Sequence, residues 1–121
     1  MGVFASAWCA LTDTYPDKAG LIVYPGSHKE GLLPVQKIEI SKDSGQDPNA
    51  NNEEVIVPPK YKAVNASVPK GAVLFIHGHV AHGSNPNATD EWRYVLLSTY
   101  IRKGENFRAG RYAQRKEVSL Y

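Results

Sequence analysis

Residues 75–87 read FIHGHVAHGSNPN, and they contain three of the chain's four histidines. The stretch begins in an apolar run and ends in a cluster of Asn and Pro that is typical of turns. Side chains alternate between the faces of a strand, so a strand continued through Ile76 would place His77 and His79 on one face. The glycines break that alternation. We therefore predict that His82 follows a turn, where its imidazole is a candidate metal ligand.

Four apolar segments of the chain have the composition of β-strands. They cover residues 3–11, 20–24, 72–76 and 92–101. No segment has helical periodicity over three turns, and turns rich in Gly and Pro separate the strands at short spacing. This pattern predicts a mainly β fold, an antiparallel sandwich or barrel.

The region between the second and third strands is less regular. Residues 42–60 are rich in Asn, Asp, Gly and Ser, which predicts a loop or a polar insertion. Residues 55–68, VIVPPKYKAVNASV, are expected to hold one or two short strands that Pro58 and Pro59 interrupt. The alternation within residues 31–40 is too short to predict a strand.

The composition is that of one globular domain, which we place at residues 1–121. With 121 residues the chain can bury one core, and its hydrophobic and charged contents, 42% and 21%, are close to globular averages. No apolar run reaches the ~18 residues of a membrane span, and no basic lead segment marks a signal peptide. Cys9 is the one cysteine, so no disulfide forms within the chain, and we expect a cytoplasmic location.

The charge distribution argues against binding of nucleic acid. The net charge is +2, and basic residues concentrate only in the tail, residues 102–121. Such a tail is more often a solvated arm or packs on a neighbouring subunit. The sequence also begins directly in a strand, and a strand with open edges needs partners. We therefore expect a homodimer or a higher oligomer, with exchange of strands as one route to it.

Arg93 occupies the second position of the fourth predicted strand. There it heads a row of apolar residues on one face, with Val95 and Leu97 as the next members. A guanidinium at the rim of an apolar interior needs an anion, because an unpaired buried charge is costly. Its fork of donors matches a carboxylate with two parallel hydrogen bonds. We therefore predict that His82 and Arg93 face one pocket, in which His82 holds a metal and Arg93 holds the far end of a dicarboxylate.

Three stretches resemble, in order and spacing, motifs of the phytanoyl-CoA dioxygenase family of Fe(II)/2-oxoglutarate-dependent oxygenases. SAWCALTD, residues 6–13, is similar to the family's W-x-A-L-x-D strand. AGLIVYPGSHKEG, residues 19–31, is similar to the segment that runs from Asn-Gly to Pro-Gly-Ser-His, with Ala19 where the family usually has Asn. VPKGAVLFIHGHVAHGSNPNATDEWR, residues 68–93, is similar to the C-terminal strand and ligand run. The resemblance covers roughly residues 5–101.

This resemblance implies a double-stranded β-helix, the jelly-roll of the cupin type, of which the chain holds a part. It implies a 2-His-1-carboxylate iron site in which His82 matches the distal His ligand. Arg93 matches the residue that pairs with the C5 carboxylate of 2-oxoglutarate, and Ser84 and Trp8 match positions that line the co-substrate pocket. The implied reaction decarboxylates 2-oxoglutarate at Fe(II) and hydroxylates an unactivated C–H bond of a small-molecule substrate. Some relatives use a halide in place of the carboxylate ligand, so halogenation is a second implied chemistry.

The chain departs from the family at the first two ligands. The family places a His-x-Asp pair before the W-x-A-L strand, and this sequence starts at that strand. Inside the chain, His28 and Glu30 form a His-x-Glu pair that could formally complete a triad with His82. The two side chains would share a face only in a continuous strand, and the turn residues just before them interrupt any strand. His79 and His82, at spacing three, would suit a helix face, which the segment does not predict. His77 is expected to be a structural histidine.

Three explanations fit the absent pair: a fragment of an oxygenase, a complete protein that kept the fold and lost the metal, or an oligomer in which a second chain completes the sheets. The function we predict is that of an Fe(II)/2-oxoglutarate-dependent dioxygenase of the phytanoyl-CoA type, present as a fragment that is inactive on its own. The alternative is a non-catalytic cupin-like module that self-associates or binds a small carboxylate through Arg93.

Overall fold

The computed structural model of the chain describes residues 4–39 and 53–105 together with Val118. Within these residues the regular structure is almost entirely β, which confirms the predicted fold class. A short 3-10 helix at Ser27–Glu30 is too short to cross a membrane, and no longer apolar helix occurs in the described ranges. The strands, in chain order, are β1 (Phe4–Ala10), β2 (Leu21–Val23), β3 (Val35–Lys37), β4 (Glu53–Val55), β5 (Val64–Ala66), β6 (Val73–His77), β7 (His82–Ser84) and β8 (Val95–Ile101).

Two three-stranded antiparallel sheets form the body of the fold. The first, which we call the Trp8 sheet, has the strand order β6-β1-β8. The second, the His82 sheet, has the order β5-β2-β7. Strands β3 and β4 pair separately. Both β7 and β8 are therefore edge strands in the described part of the chain, each at the end of its own sheet.

The core lies between the Trp8 sheet and the His82 sheet. Trp8, Ala10 and Ile76 point into it from the first sheet, and Leu21 points into it from the second. Full burial of an aliphatic side chain such as Leu21 stabilises a fold by about 1.5–3 kcal/mol. This small core thus fixes which face of each strand looks inward, and the alternation of side chains then fixes the rest.

The fourth predicted strand begins later than the sequence indicated. Strand β8 starts at Val95 rather than at Trp92. The reason is a competing hydrogen bond, because the Tyr94 N–H donates to the hydroxyl of Thr12 (3.2 Å) instead of a strand carbonyl. Arg93 therefore lies in the loop before β8, and its predicted position inside the strand is wrong.

Within β8 the predicted alternation of faces is confirmed by the pairing register. Val95 lies opposite Ala10, and Leu97 lies opposite Trp8, so both belong to the inner face of the Trp8 sheet. The boundaries of β1, β2 and β6 agree with the sequence prediction to one residue at each end.

The polar region is more regular at its end than predicted. Residues 40–52, most of the predicted insertion, lie outside the described residues. The loop prediction is wrong at Glu53 and Glu54, which belong to β4 and pair with β3, with the Gln36 side chain donating to Glu54 (3.3 Å). The short strands predicted within residues 55–68 are confirmed by β5. Most of the predicted basic tail also lies outside the described residues, so the extent of the domain, residues 1–121, stays a prediction.

The outer face of the Trp8 sheet is apolar and exposed. Small side chains of the central strand, including Ala7 and Cys9, form the floor of a groove of about 390 Å³, and larger side chains of the flanking strands form its walls. In those walls Phe75 is 71% exposed and Leu96 is 58% exposed. Apolar patches of this kind mark contact surfaces. The homodimer predicted from the sequence would find apolar contact area here, and it stays a prediction.

We expect Gly20→Ala to destabilise the fold by about 1–3 kcal/mol, the range for overpacking. A Cβ at this position would lie 2.6 Å from the backbone carbonyl of Tyr15, which also accepts the Gly20 N–H (2.8 Å). Urea denaturation measures the loss. Gly83→Ala is the matched control, because a Cβ there meets nothing within 4 Å. Equal midpoints for the two variants would contradict this account of the turn.

Candidate functional site

Arg93 binds the side of the His82 sheet through a single nitrogen. Its Nη1 donates to the backbone carbonyl of Ala19 (2.6 Å) and to the hydroxyl of Ser84 (2.9 Å). Ala19 precedes β2, and Ser84 ends β7, so both acceptors belong to the side of the His82 sheet. The Arg93 side chain is half-buried between these partners.

Trp8 lies on the other side of the same guanidinium. The Arg93 Cζ is 5.7 Å from the centroid of the Trp8 ring, within the range of a cation–π contact. Burial lowers the pKa of Arg93, yet a guanidinium stays protonated in proteins. The structure thus brings together three of the four residues singled out in the sequence, Arg93, Ser84 and Trp8.

The guanidinium of Arg93 has further donors besides the nitrogen that binds Ala19 and Ser84. Among the described residues, none accepts a hydrogen bond from Nε or Nη2 of Arg93. The Ser84 oxygen accepts from Arg93, so its own hydroxyl hydrogen is available to another acceptor. Two guanidinium nitrogens and one hydroxyl therefore offer hydrogen bonds to a further anion, the pattern that a carboxylate matches.

His82, the fourth of these residues, lies on the same face of β7 as Ser84. The register places His82 opposite Val23 and Ser84 opposite Leu21, whose side chain is in the core, so this face looks inward. Two residues along a strand span about 7 Å. His82 and Ser84, the hydrogen-bond partner of Arg93, therefore lie on one face of β7, and both are exposed to solvent.

The orientation of the His82 ring leaves one nitrogen for a ligand. Its Nδ1 lies 2.9 Å from the carbonyl oxygen of Val80. A carbonyl only accepts hydrogen bonds, so Nδ1 carries the hydrogen, and Nε2 of the neutral ring has a free lone pair. A metal-binding histidine usually donates such a hydrogen bond from the ring nitrogen that does not bind the metal.

Ser27 holds the residue before His82. The buried N–H of Ala81 donates to the Ser27 hydroxyl (2.8 Å), and the Ala81 carbonyl accepts from the N–H of Tyr24 (3.0 Å). Ser27 is fully buried and belongs to the Pro-Gly-Ser-His segment noted in the sequence. That segment thus contributes a support for the turn that carries His82, and not a ligand.

The other histidines form a separate cluster. The ring of His77 lies 5.0 Å from that of His28 and 5.6 Å from that of His79, between centroids. The Nδ1 of His77 accepts the backbone N–H of His79 (3.1 Å), which shapes the turn between β6 and β7. Glu30 binds the hydroxyl of Tyr61 and the ammonium of Lys60 instead of facing this cluster.

The described residues do not assemble a complete metal site. Across residues 4–39 and 53–105, no group of three His, Cys, Asp or Glu side chains could hold a metal ion. His28, Glu30 and His82 therefore do not form a metal-binding triad among the described residues, in agreement with the turn residues that precede His28. His82 is one donor, and one imidazole does not fit Fe(II) on its own.

Sequence reasoning missed the turn at residues 15–20. Ala19 has a left-handed backbone conformation, with φ at 49°, and this conformation aims its carbonyl at Arg93. A signal was present in the sequence, since Ala19 stands where the resembling family usually has Asn. Asn tolerates the left-handed region better than most residues do.

We expect Ser27→Ala to destabilise the chain by about 1–3 kcal/mol, because it leaves the buried Ala81 N–H without an acceptor. Urea denaturation measures the loss, and amide hydrogen exchange at Ala81 reports its location. Ser67→Ala is the control, since Ser67 is exposed. If both variants unfold at the same urea concentration, Ser27 does not support this turn.

Substitutions of Ala19 should have opposite signs. Ala19→Asn is expected to stabilise the chain by about 0.5–1 kcal/mol, because a left-handed conformation costs an ordinary L-residue about 1–2 kcal/mol and Asn less. Ala19→Val is expected to destabilise it, since β-branched residues are outliers there. Thermal denaturation of both variants checks this, and a change of the same sign in both would contradict it.

Comparison with known proteins identifies the family. A model of the phytanoyl-CoA dioxygenase (PhyH) family matches residues 2–95. The zebrafish (Danio rerio) phytanoyl-CoA dioxygenase domain-containing protein 1 is 29% identical over 112 residues, which cover 88% of this chain and 35% of that protein. The crystal structure of AviO1 from Streptomyces viridochromogenes superposes with a TM-score of 0.61 at 26% identity, covering 88% of this chain and 41% of AviO1.

The chain thus spans about a third of the length of the zebrafish relative and about two fifths of AviO1. The facing antiparallel sheets correspond to a part of the double-stranded β-helix that the sequence predicted. The fold is that of the 2-oxoglutarate-dependent oxygenases, and the family is generally dependent on Fe(II) and 2-oxoglutarate. With residues 2–95 matched, the chain belongs to the phytanoyl-CoA dioxygenase family.

Proposed function

We propose that the chain carries the co-substrate side of an Fe(II)/2-oxoglutarate-dependent oxygenase site. Arg93 and Ser84 bind the C5 carboxylate of 2-oxoglutarate, Trp8 forms the wall beneath the guanidinium, and His82 is the distal iron ligand. The observation that supports this proposal is the contact of Arg93 with Ser84 and Trp8, on the same side of β7 as His82.

The donors of Arg93 and Ser84 suit the terminal carboxylate of a dicarboxylate. The free nitrogens of Arg93 supply a charged, planar pair of donors, and the Ser84 hydroxyl supplies a third. Hydrogen bonds to charged groups contribute about 1.5–3 kcal/mol each when they replace water. A dicarboxylate bound there extends along β7 toward His82, which is two residues away on the same face.

The iron itself requires donors that the described residues do not provide. His82 supplies one imidazole, and we derive no chemical step through a metal held by this residue alone. Strands β7 and β8, which flank the site, are edge strands in the described part of each sheet. Further strands paired to these edges would add side chains beside His82, so the remaining ligands are proposed to come from there.

A second candidate function is a non-catalytic carboxylate-binding module. It is favoured by one observation, the absence of any three-donor metal group from residues 4–39 and 53–105. In this function Arg93 and Ser84 bind a small carboxylate, and His82 is an exposed histidine without a metal. The two functions differ in whether a divalent metal changes the affinity for 2-oxoglutarate.

Calorimetric titration of the purified chain with 2-oxoglutarate, with and without Mn(II) as a stand-in for Fe(II), tests the proposal. We expect Arg93→Ala to weaken binding by about 10- to 100-fold, the loss of charged hydrogen bonds. Ser84→Ala is expected to weaken it by about 2- to 10-fold, because a single uncharged hydroxyl donor contributes less than the guanidinium. Where strands paired to β7 and β8 supply the remaining ligands, Mn(II) is expected to tighten 2-oxoglutarate binding in the wild type and to have no effect in His82→Ala.

Two controls and two outcomes decide the result. Arg102→Ala removes an exposed arginine and His79→Ala removes a histidine outside the site, and neither should change the affinity. Binding that depends on Arg93 and is indifferent to Mn(II) supports the non-catalytic module. Failure of the wild-type chain to bind 2-oxoglutarate contradicts both functions.

A further inference from the structure

Lys18 is a buried cation whose partner lies in the loop that leads to Arg93. The Lys18 side chain is 7% exposed, and its ammonium pairs with the carboxylate of Glu91, which is 67% exposed. The hydrogen bond that the Lys18 ammonium donates to Glu91 raises the pKa of Lys18 and favours the charged form. A buried charge is tolerated only when it is paired, so this contact constrains where Glu91 can lie. Glu91 precedes Arg93 by two residues.

Backbone hydrogen bonds join the same two segments, the turn 15–20 and the loop 85–94. The Ala88 N–H donates to the Asp17 carbonyl (2.7 Å), and the Asn85 N–H donates to the Gly20 carbonyl (2.9 Å). Between them, the Ala19 carbonyl accepts from Arg93. The turn thus contacts the beginning, the middle and the end of the loop. Among these contacts, Asp17, Ala19 and Gly20 use their backbone carbonyls, and Lys18 uses its side chain.

The loop is also braced internally around Glu91. The Asn87 side-chain amide donates to the Glu91 carbonyl (2.8 Å), and the Thr89 hydroxyl donates to the Asn87 side-chain oxygen (2.8 Å). Glu91 is therefore held from the loop side as well as from Lys18. Arg93 is only two residues from Glu91. Because Glu91 is held in place, the positions that the guanidinium can take are limited.

We propose that Lys18 is a positioning residue that orients Arg93 toward the carboxylate of its ligand, an inference that rests on the proposed function of Arg93. The ion pair fixes the end of the loop, and the Ala19 carbonyl of the same turn then holds the guanidinium over the Trp8 ring. The guanidinium is oriented before the ligand arrives, so binding does not have to immobilise a long side chain. Without the ion pair, the backbone hydrogen bonds still join the loop and the turn, but the segment from Glu91 to Arg93 is held less firmly and Arg93 samples other rotamers.

The variant Lys18→Met tests this role. Met keeps much of the apolar stem and removes the charge, and the Glu91 carboxylate that remains is already exposed to solvent. We expect the dissociation constant for 2-oxoglutarate to rise about 2- to 10-fold, the usual effect of having to order one long side chain. Lys18→Arg, which keeps the ion pair, is expected to have the wild-type dissociation constant. Glu91→Gln is expected to weaken binding in the same direction.

A second readout does not depend on the ligand. The guanidinium lies over the Trp8 ring, so the Nε–Hε resonance of Arg93 in an NMR spectrum should carry a ring-current shift. We expect that shift to be lost in Lys18→Met, kept in Lys18→Arg and kept in Lys29→Met, which removes an exposed lysine of the 3-10 helix.

The outcomes separate this inference from the proposed function. If the wild-type chain does not bind 2-oxoglutarate, the proposed function fails, and the Arg93 resonance still decides whether Lys18 positions the guanidinium. If Lys18→Met lowers only the stability and leaves the Arg93 resonance and the dissociation constant unchanged, Lys18 is a structural residue and the inference is overturned.

Discussion

The half-buried guanidinium of Arg93 is the constraint on which the site depends. A charged group in this position must be satisfied, because an unpaired charge away from water is costly. Its partners come from separate parts of the fold: Trp8 from one sheet, Ser84 from the other and the Ala19 carbonyl from the turn before β2. Moving any of these elements removes one of the partners of the guanidinium. The contacts of Arg93 therefore fix both the relative placement of the two sheets and the geometry of the site.

The site lies where both sheets end, and this explains how a small core can coexist with an accessible pocket. Strands β7 and β8 are edge strands in the described part of the chain, so the inner face of β7 is covered less than that of β2. Leu21 of β2 is buried, while Ser84, opposite it on β7, is exposed. The change from apolar to polar side chains across one strand pair follows that change in burial. In the proposed function, the edge that gives a ligand access to Ser84 and His82 is also where the metal site would obtain its other donors.

The sequence predicted the strands better than it predicted the contacts that hold them together. The alternation in β8 and the polar run after β6 are local patterns, and both appear in the structure. The start of β8 could not be predicted, because the Tyr94 N–H bonds to Thr12, 82 residues away. The role of Ala19 was hidden for another reason. Its backbone carbonyl binds Arg93, and every residue has such a carbonyl. Strands β3 and β4 are three residues each and polar, too short for a periodic signal.

The conformation of Ala19 shows how the turn and the guanidinium stabilise each other. A left-handed backbone costs an L-residue about 1–2 kcal/mol, and a hydrogen bond to a charged group contributes about 1.5–3 kcal/mol. The two magnitudes are similar, so the bond from Arg93 is sufficient to offset the strain in the turn. Strain of this size persists at functional sites when the surroundings over-determine it. Here the surroundings are identified: Gly20, where a side chain would collide with Tyr15, and the ion pair of Lys18 on the other flank. The left-handed conformation of Ala19, between Lys18 and Gly20, is thus explained by the hydrogen bond that its carbonyl accepts from Arg93.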